Sequence, residues 1–148
     1  MKLKFAVGSD HAGFQLKEFV KELLHSLNIE VVDVGPHSDE RCDYPDYAKK
    51  VCKLIQEEEI EGILVCGSGL GISMAANRYQ NIRAAVCRTI NDAEMARKHN
   101  DANVLCLGER VTTNAEAAKI IKTWLSSCFE EGRHTQRINL FNNLGERL

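Results

Sequence analysis

EGILVCGSGLGIS, residues 61–73, is the stretch from which the rest of the chain can be read. Ile63, Leu64 and Val65 make a short apolar run suited to a buried strand, and the run passes into Cys66 and then into Gly67, Gly69 and Gly71. That order puts Cys66 at the carboxyl end of a strand, the edge where open α/β sheets hold ligands. The glycines permit a tight turn that aims successive N–H groups at one point, and a helix from about Ile72 adds its positive end. The same field favours a thiolate, which makes Cys66 a candidate proton carrier. Turn geometry alone is the competing reason for such a loop.

Three better-known glycine loops fail on spacing. A triphosphate-binding loop needs Gly-Lys-Ser/Thr, and no lysine stands between Cys66 and Asn77. A cysteine phosphatase would have arginine six positions past its nucleophile, where this chain has Ile72. The dinucleotide fingerprint wants glycine at Ile72 and an acidic residue about twenty positions on, whereas the next strand ends at Cys87-Arg88.

Working outward, Leu3–Val7 reads as a first strand, followed by a helix with Leu16, Phe19, Val20, Leu23, Leu24 and Leu27 on one face. Val31–Val34 is a second strand, closed by Gly35-Pro36, and a polar loop leads to a helix near Pro45 that turns Ala48, Val51, Cys52 and Ile55 inward. Gly62–Val65, Ile82–Cys87 and Val104–Leu107 supply three more strands. The helices between and after them are Asn91–His99, opened by Asn91 with Glu94 in capping-box spacing, and Asn114–Phe129, with Ile120, Ile121, Trp124 and Leu125 inward. Strands apolar on both faces alternating with helices predict an α/β fold, a parallel sheet covered on each side.

At 148 residues and 44% hydrophobic composition, one domain spanning 1–148 is expected. Residues 130–148 form a tail beyond the last sheet element, with Ile138, Leu140, Phe141 and Leu144 to be covered by its own body or by a second subunit. A net charge of -2, from 19 basic and 21 acidic residues, gives no reason to expect nucleic acid or an anionic membrane as partner. No apolar stretch is long enough to span a bilayer and MKLKFAVGSD is not a secretory signal, so a cytoplasmic location is expected. The six cysteines lack a CxxC pair, which points to reduced thiols and no metal; Cys52, Cys87 and Cys106 fall at core positions.

Asp10 and His11 leave the first strand at the same sheet edge as Cys66, with helix capping by Ser9 or Asp10 as the plainer reading. His99 closes its helix, where an imidazole serves both the helix dipole and proton transfer. Arg133 and Arg137 stand at i, i+4 and fit a phosphate, or else form a solvated basic face. Arg110 adds a cation at the carboxyl edge.

SDHAGF (9–14), DYPDYA (43–48), CGSGLGIS (66–73), HND (99–101), LGERV (107–111) and GRHTQR (132–137), in this order along essentially the whole chain, resemble the ribose-5-phosphate isomerase type B and galactose-6-phosphate isomerase family. The resemblance implies a flavodoxin-like three-layer α/β/α sandwich with a five-stranded parallel sheet. It implies interconversion of an aldose phosphate and its ketose phosphate through a cis-enediolate, with no metal or other cofactor. Cys66 resembles the base between C2 and C1, the backbone of Gly67, Ser68, Gly69, Leu70 and Gly71 the enediolate pocket, and Ser68 a hydroxyl that shuttles protons. His99 resembles the ring-opening residue; Asp10, Tyr44 and Asn100 resemble contacts to the sugar, and His11, Arg110, Arg133 and Arg137 the phosphate clamp. Family sites lie between subunits, which implies a homodimer, or a tetramer built from such pairs. Members with glutamate at the position of Ile72 lack the cysteine; this chain resembles the cysteine branch.

The leading expectation is therefore a ribose 5-phosphate–ribulose 5-phosphate isomerase. A six-carbon substrate such as galactose or allose 6-phosphate, a non-catalytic nucleotide or flavin module, and a sugar-phosphate sensor are the alternatives.

Overall fold

Five parallel strands are formed by Lys4–Ser9 (β1), Glu30–Gly35 (β2), Glu61–Cys66 (β3), Ala84–Val86 (β4) and Val104–Gly108 (β5), in the order β2-β1-β3-β5-β4. The helices are Phe14–Ser26 (α1), Tyr44–Glu58 (α2), Leu70–Ala76 (α3), Ile90–Asn100 (α4), Asn114–Ser126 (α5) and Arg133–Asn139 (α6). The computed structural model describes residues 3–148.

The period-2 alternation of the inner strands makes the three layers. Phe5, Val7, Ile63, Val65, Leu105 and Leu107 pack with α1, α4 and α5; Ala6, Leu64, Cys66, Val104 and Cys106 point the other way, toward α2 and α3. Each large aliphatic side chain buried there contributes about 1.5–3 kcal/mol. The edge strands β2 and β4 are only half-buried, so the expectation of strands apolar on both faces holds for β1, β3 and β5 alone. The five-stranded three-layer sandwich is as expected, with one departure from the flavodoxin order 2-1-3-4-5: the last two strands exchange places, leaving β4 at the edge. Chain direction across the sheet reverses between β1 and β3, and the carboxyl ends of those two strands carry Asp10 and Cys66.

Several boundaries differ from the sequence reading, each for a local reason. Gly69 adopts φ +80°, so α3 starts directly after it at Leu70 instead of Ile72, and runs only seven residues. The cap of α4 is Thr89, whose hydroxyl accepts the Asp92 N–H, rather than Asn91; Glu94 pairs with Lys98 on the exposed face. β4 begins at Ala84 rather than Ile82, because the Asn103 side chain takes the Arg83 N–H that a ladder would use. α5 stops at Ser126 rather than Phe129, where the hydroxyls of Ser126 and Ser127 both donate to the Thr123 carbonyl. Its start carries a complete capping box between Thr113 and Glu116.

The tail returns to its own body. His134 and Ile138 of α6 are buried, and Glu146 exchanges backbone hydrogen bonds with Arg78 and Gln80. Leu140 and Leu144 nevertheless remain largely exposed.

Candidate active site

Cys66 ends β3 almost buried, and the Gly69 N–H donates to its Sγ at 3.1 Å. The turn has therefore closed around the sulfur. Two backbone bonds lock this loop to the segment after β5: Glu109 N–H to the Cys66 carbonyl and Arg110 N–H to the Gly67 carbonyl, each 3.0 Å. That contact requires glycine at 108, where a Cβ would stand 2.5 Å from the Ser68 carbonyl carbon. The Ser68 hydroxyl accepts the Leu70 N–H at 3.2 Å, which leaves its proton free to donate.

Side chains from three segments surround this floor. Asp10 is buried and accepts the Gly13 N–H at 3.0 Å, so the capping reading of Asp10 holds, while its place on the wall keeps it available as a ligand. His11 Nδ1 lies 3.0 Å from the Cys42 carbonyl oxygen and 3.2 Å from the Cys42 nitrogen, so the loop before α2 fixes the ring in either tautomer. The Tyr44 ring covers Gly71 and the Arg110 guanidinium covers Gly67, in the space where side chains at those glycines would project. The open cleft they form measures about 590 Å³ and is also lined by Arg41, Cys42 and Asp43, to which the sequence reading gave no role. The polar run between Pro36 and Pro45 was the signal for Arg41 and Cys42, and Asp43 opened the DYPDYA motif without a role of its own.

A buried ion pair, also missed, anchors that loop. Lys17 is fully buried on α1 and donates to both oxygens of Asp33, at 2.8 and 2.9 Å, and to the Pro36 carbonyl at 2.8 Å. Lys17 and Lys21 hold the Asp33 carboxyl below the ordinary carboxylate range, against the opposing effect of its burial. Glu109 adds a second brace by accepting the Leu16 N–H at 2.7 Å, which ties the start of α1 to the residue before Arg110.

The remaining expected residues lie elsewhere in the same chain. His99 stands at the end of α4 with its ring stacked on His134, centroids 4.3 Å apart and planes 17° from parallel. Arg133 and Arg137 project from α6 into solvent, and Asn100 borders a different groove, with Phe141 and Leu144. None of these four lines the Cys66 cavity. His99, Glu130 and His134 bring ligand atoms within 4.8 Å of one another. The rings meet face to face instead of aiming their lone pairs at one point, and Lys98, Arg133 and Arg137 make the surroundings cationic, so the trio does not fit a metal.

Other features are less suited to chemistry. Burial pushes the Cys52 and Cys87 thiols up to about 12 and raises Cys106 well above its ordinary value, which leaves all three inert. A cavity of about 620 Å³ at the opposite sheet edge is walled by Arg97 against Glu61 and Arg83 against Asp101, charges that already neutralise one another. No helix among the described residues is long and apolar enough to cross a membrane.

Comparison with known proteins agrees over the whole length. The sequence profile described as Ribose/Galactose Isomerase matches residues 5–141. Ribose-5-phosphate isomerase B of Escherichia coli is 43% identical over 145 residues, 97% of each chain. The crystal structure of a ribose 5-phosphate isomerase from Thermotoga maritima superposes with a TM-score of 0.94 at 49% identity, covering 97% of this chain and all of that one. The structure of ribose-5-phosphate isomerase B from Mycoplasma genitalium with bound ribulose-5-phosphate gives a TM-score of 0.92 at 39% identity, covering 97% and 96%.

Proposed function

The chain belongs to the ribose/galactose isomerase family, and we propose that it interconverts ribose 5-phosphate and ribulose 5-phosphate by proton transfer. The observation that carries the mechanism is the hydrogen bond from Gly69 N–H to Cys66 Sγ on the floor of a cavity overlooked by Arg110. Aldose–ketose conversion needs a base that removes the C2 proton and returns it to C1, and fixed donors for the oxyanion formed in between. Cys66 is that base. Gly69 N–H serves the sulfur and Leu70 N–H the Ser68 hydroxyl, which leaves the N–H groups of Gly67, Ser68 and Gly71 for the enediolate oxygen. Preorganised donors of this kind contribute about 3–4 kcal/mol each to the transition state. The Ser68 hydroxyl carries the proton between O1 and O2, while Asp10 and Tyr44 hold the sugar hydroxyls.

Phosphate recognition and ring opening need residues that one chain keeps apart. Arg110 and His11 sit on the Cys66 cavity, whereas His99, Asn100, Arg133 and Arg137 sit at α4 and α6. A homodimer that brings the α4–α6 corner of one chain over the cavity of the other completes the site twice, and gives Leu140 and Leu144 a cover. A sugar-phosphate substrate fits a cytoplasmic enzyme.

The related structure holding a five-carbon ketose phosphate favours the pentose over the six-carbon alternatives. A coupled assay comparing ribose 5-phosphate with galactose and allose 6-phosphates tests this reading. The pentose should have the highest kcat/KM; a hexose phosphate turned over better would replace it as substrate, and no turnover of any of the three would remove the isomerase reading.

A further inference from the structure

The geometry points to His134 as a positioning residue for ring opening: its buried imidazole is the flat wall against which the His99 ring is set. This inference rests on the isomerase reading above and assigns a role to a residue not used there. His134 is the one histidine of the corner driven inward, at 6% exposure, although α6 offers exposed positions on three sides. Its ring lies parallel to that of His99 at 4.3 Å, and its Nε2 has no hydrogen-bond partner. A buried nitrogen without a partner carries a cost that a phenylalanine would avoid, so packing alone does not account for a histidine there. The Glu130 N–H donates to the Lys98 carbonyl at 3.0 Å, pinning the start of the tail to the last turn of α4 and fixing the distance between the rings.

The stack also limits the charge of the pair. Two imidazolium rings face to face repel, so protons leave and enter the pair in coupled steps. The groups facing His134 are Arg133 and Arg137 on α6, His99 on α4, and Glu130 between them, with Lys98 acting on Glu130. Burial, then Arg133 and His99, push its imidazole down from the ordinary value; Glu130 opposes. His99 is the partly exposed ring of the stack, the one that the proposed dimer turns toward the substrate. Ring opening needs a donor held in place: as the C1–O4 bond breaks, O4 takes a proton from a His99 N–H whose plane is set by the neighbour, and O1 gives its proton to solvent water as the C1=O1 bond forms.

Two half-reactions separate this role from a merely structural one. Deuterium exchange at C1 of ribulose 5-phosphate, an open chain, requires Cys66 but no ring chemistry, whereas isomerisation of furanose ribose 5-phosphate requires both. His134→Ala should lower isomerisation at least tenfold and leave C1 exchange within about threefold. His134→Phe, which keeps a flat ring in the slot, should restore isomerisation to within about threefold of the parent, and covers the case in which alanine unseats α6. Parallel loss of exchange and isomerisation in His134→Ala, or a His134→Phe enzyme as slow on the furanose as the alanine variant, overturns the proposal. The coupling is read without activity: in imidazole NMR titrations His99→Asn should move the His134 midpoint upward, and an unmoved midpoint refutes the coupling. A parent protein inactive in both assays would defeat the isomerase reading instead, while the titration still decides whether the rings are coupled.

Discussion

The Cys66 floor and the α4–α6 corner are built in opposite ways. The floor is backbone: strand ends, glycines and N–H groups whose positions follow from the sheet, with Gly108, Gly69 and the two bonds from Glu109 and Arg110 leaving little freedom. The corner is side chain: exposed arginines on a seven-residue helix, two stacked rings and one backbone bond from Glu130 to Lys98. A proton moved between adjacent carbons tolerates little displacement, so its base belongs on rigid elements. Phosphate recognition by long guanidinium side chains tolerates more, and a terminal helix suffices to present them.

The largest effect should come from the floor. Cys66→Ala removes the proposed base and no phosphate contact, so kcat should fall by about three orders of magnitude or more with KM within about tenfold. Steady-state kinetics decide it, and turnover near the parent's would take the chemistry away from Cys66. The ion pair that anchors the loop after Pro36 is next. Asp33→Asn strips the buried Lys17 of its anion, which should cost about 3–5 kcal/mol in urea unfolding. A loss below about 1 kcal/mol would mean that the Pro36 carbonyl and Glu18 satisfy the ammonium unaided.

The corner should respond more mildly and in a different parameter. Arg137→Ala, at an exposed position, should raise KM for ribose 5-phosphate about tenfold to a hundredfold with thermal stability unchanged. The proposed dimer makes the contrast sharper. In Cys66→Ala/Arg137→Ala heterodimers one site keeps both residues and the other has neither, so statistical mixing under assay conditions where each parent variant is nearly inactive should recover about a quarter of the activity. Confirmed heterodimers without recovery would show that each corner serves its own chain.

How legible each region was follows from the same difference. Buried strands leave short unbroken apolar runs that stop at a punctuating residue, so β1, β3, β5 and the placement of Asp10, His11 and Cys66 could be read directly. The exchange of β4 and β5 could not, because order across a sheet is set by which strand buries more, and β4 is only three residues long. Lys17 was illegible for a related reason: it lies beside Leu16 on the buried face, and only the three-dimensional position of Asp33 and Pro36 makes that tolerable. Arg133 and Arg137 were visible as a spacing whose destination one chain does not supply. His134 stood between them in the GRHTQR motif and was given no role, since the stack with His99 joins segments 35 positions apart.

The smallest effect concerns that residue and acid. In the folded chain the His134 imidazole is held below its ordinary value of 6.5, chiefly by burial and then by Arg133 and His99. The unfolded chain takes up this proton near pH 6.5, whereas the folded chain takes it up only at lower pH. Below 6.5 the unfolded state therefore binds more protons, and stability contributed at this position is complete above pH 6.5 and declines as pH falls toward the folded value. His134→Phe fills the slot with a ring that never titrates. The Tm of that variant minus the parent's should be constant above about pH 7 and should grow in the variant's favour through pH 6 and below, with Arg133 and Arg137 unchanged. A difference that stays flat across the range would mean that His134 protonates as readily in the fold as in the open chain, and would remove the electrostatic half of the contrast between the floor and the corner.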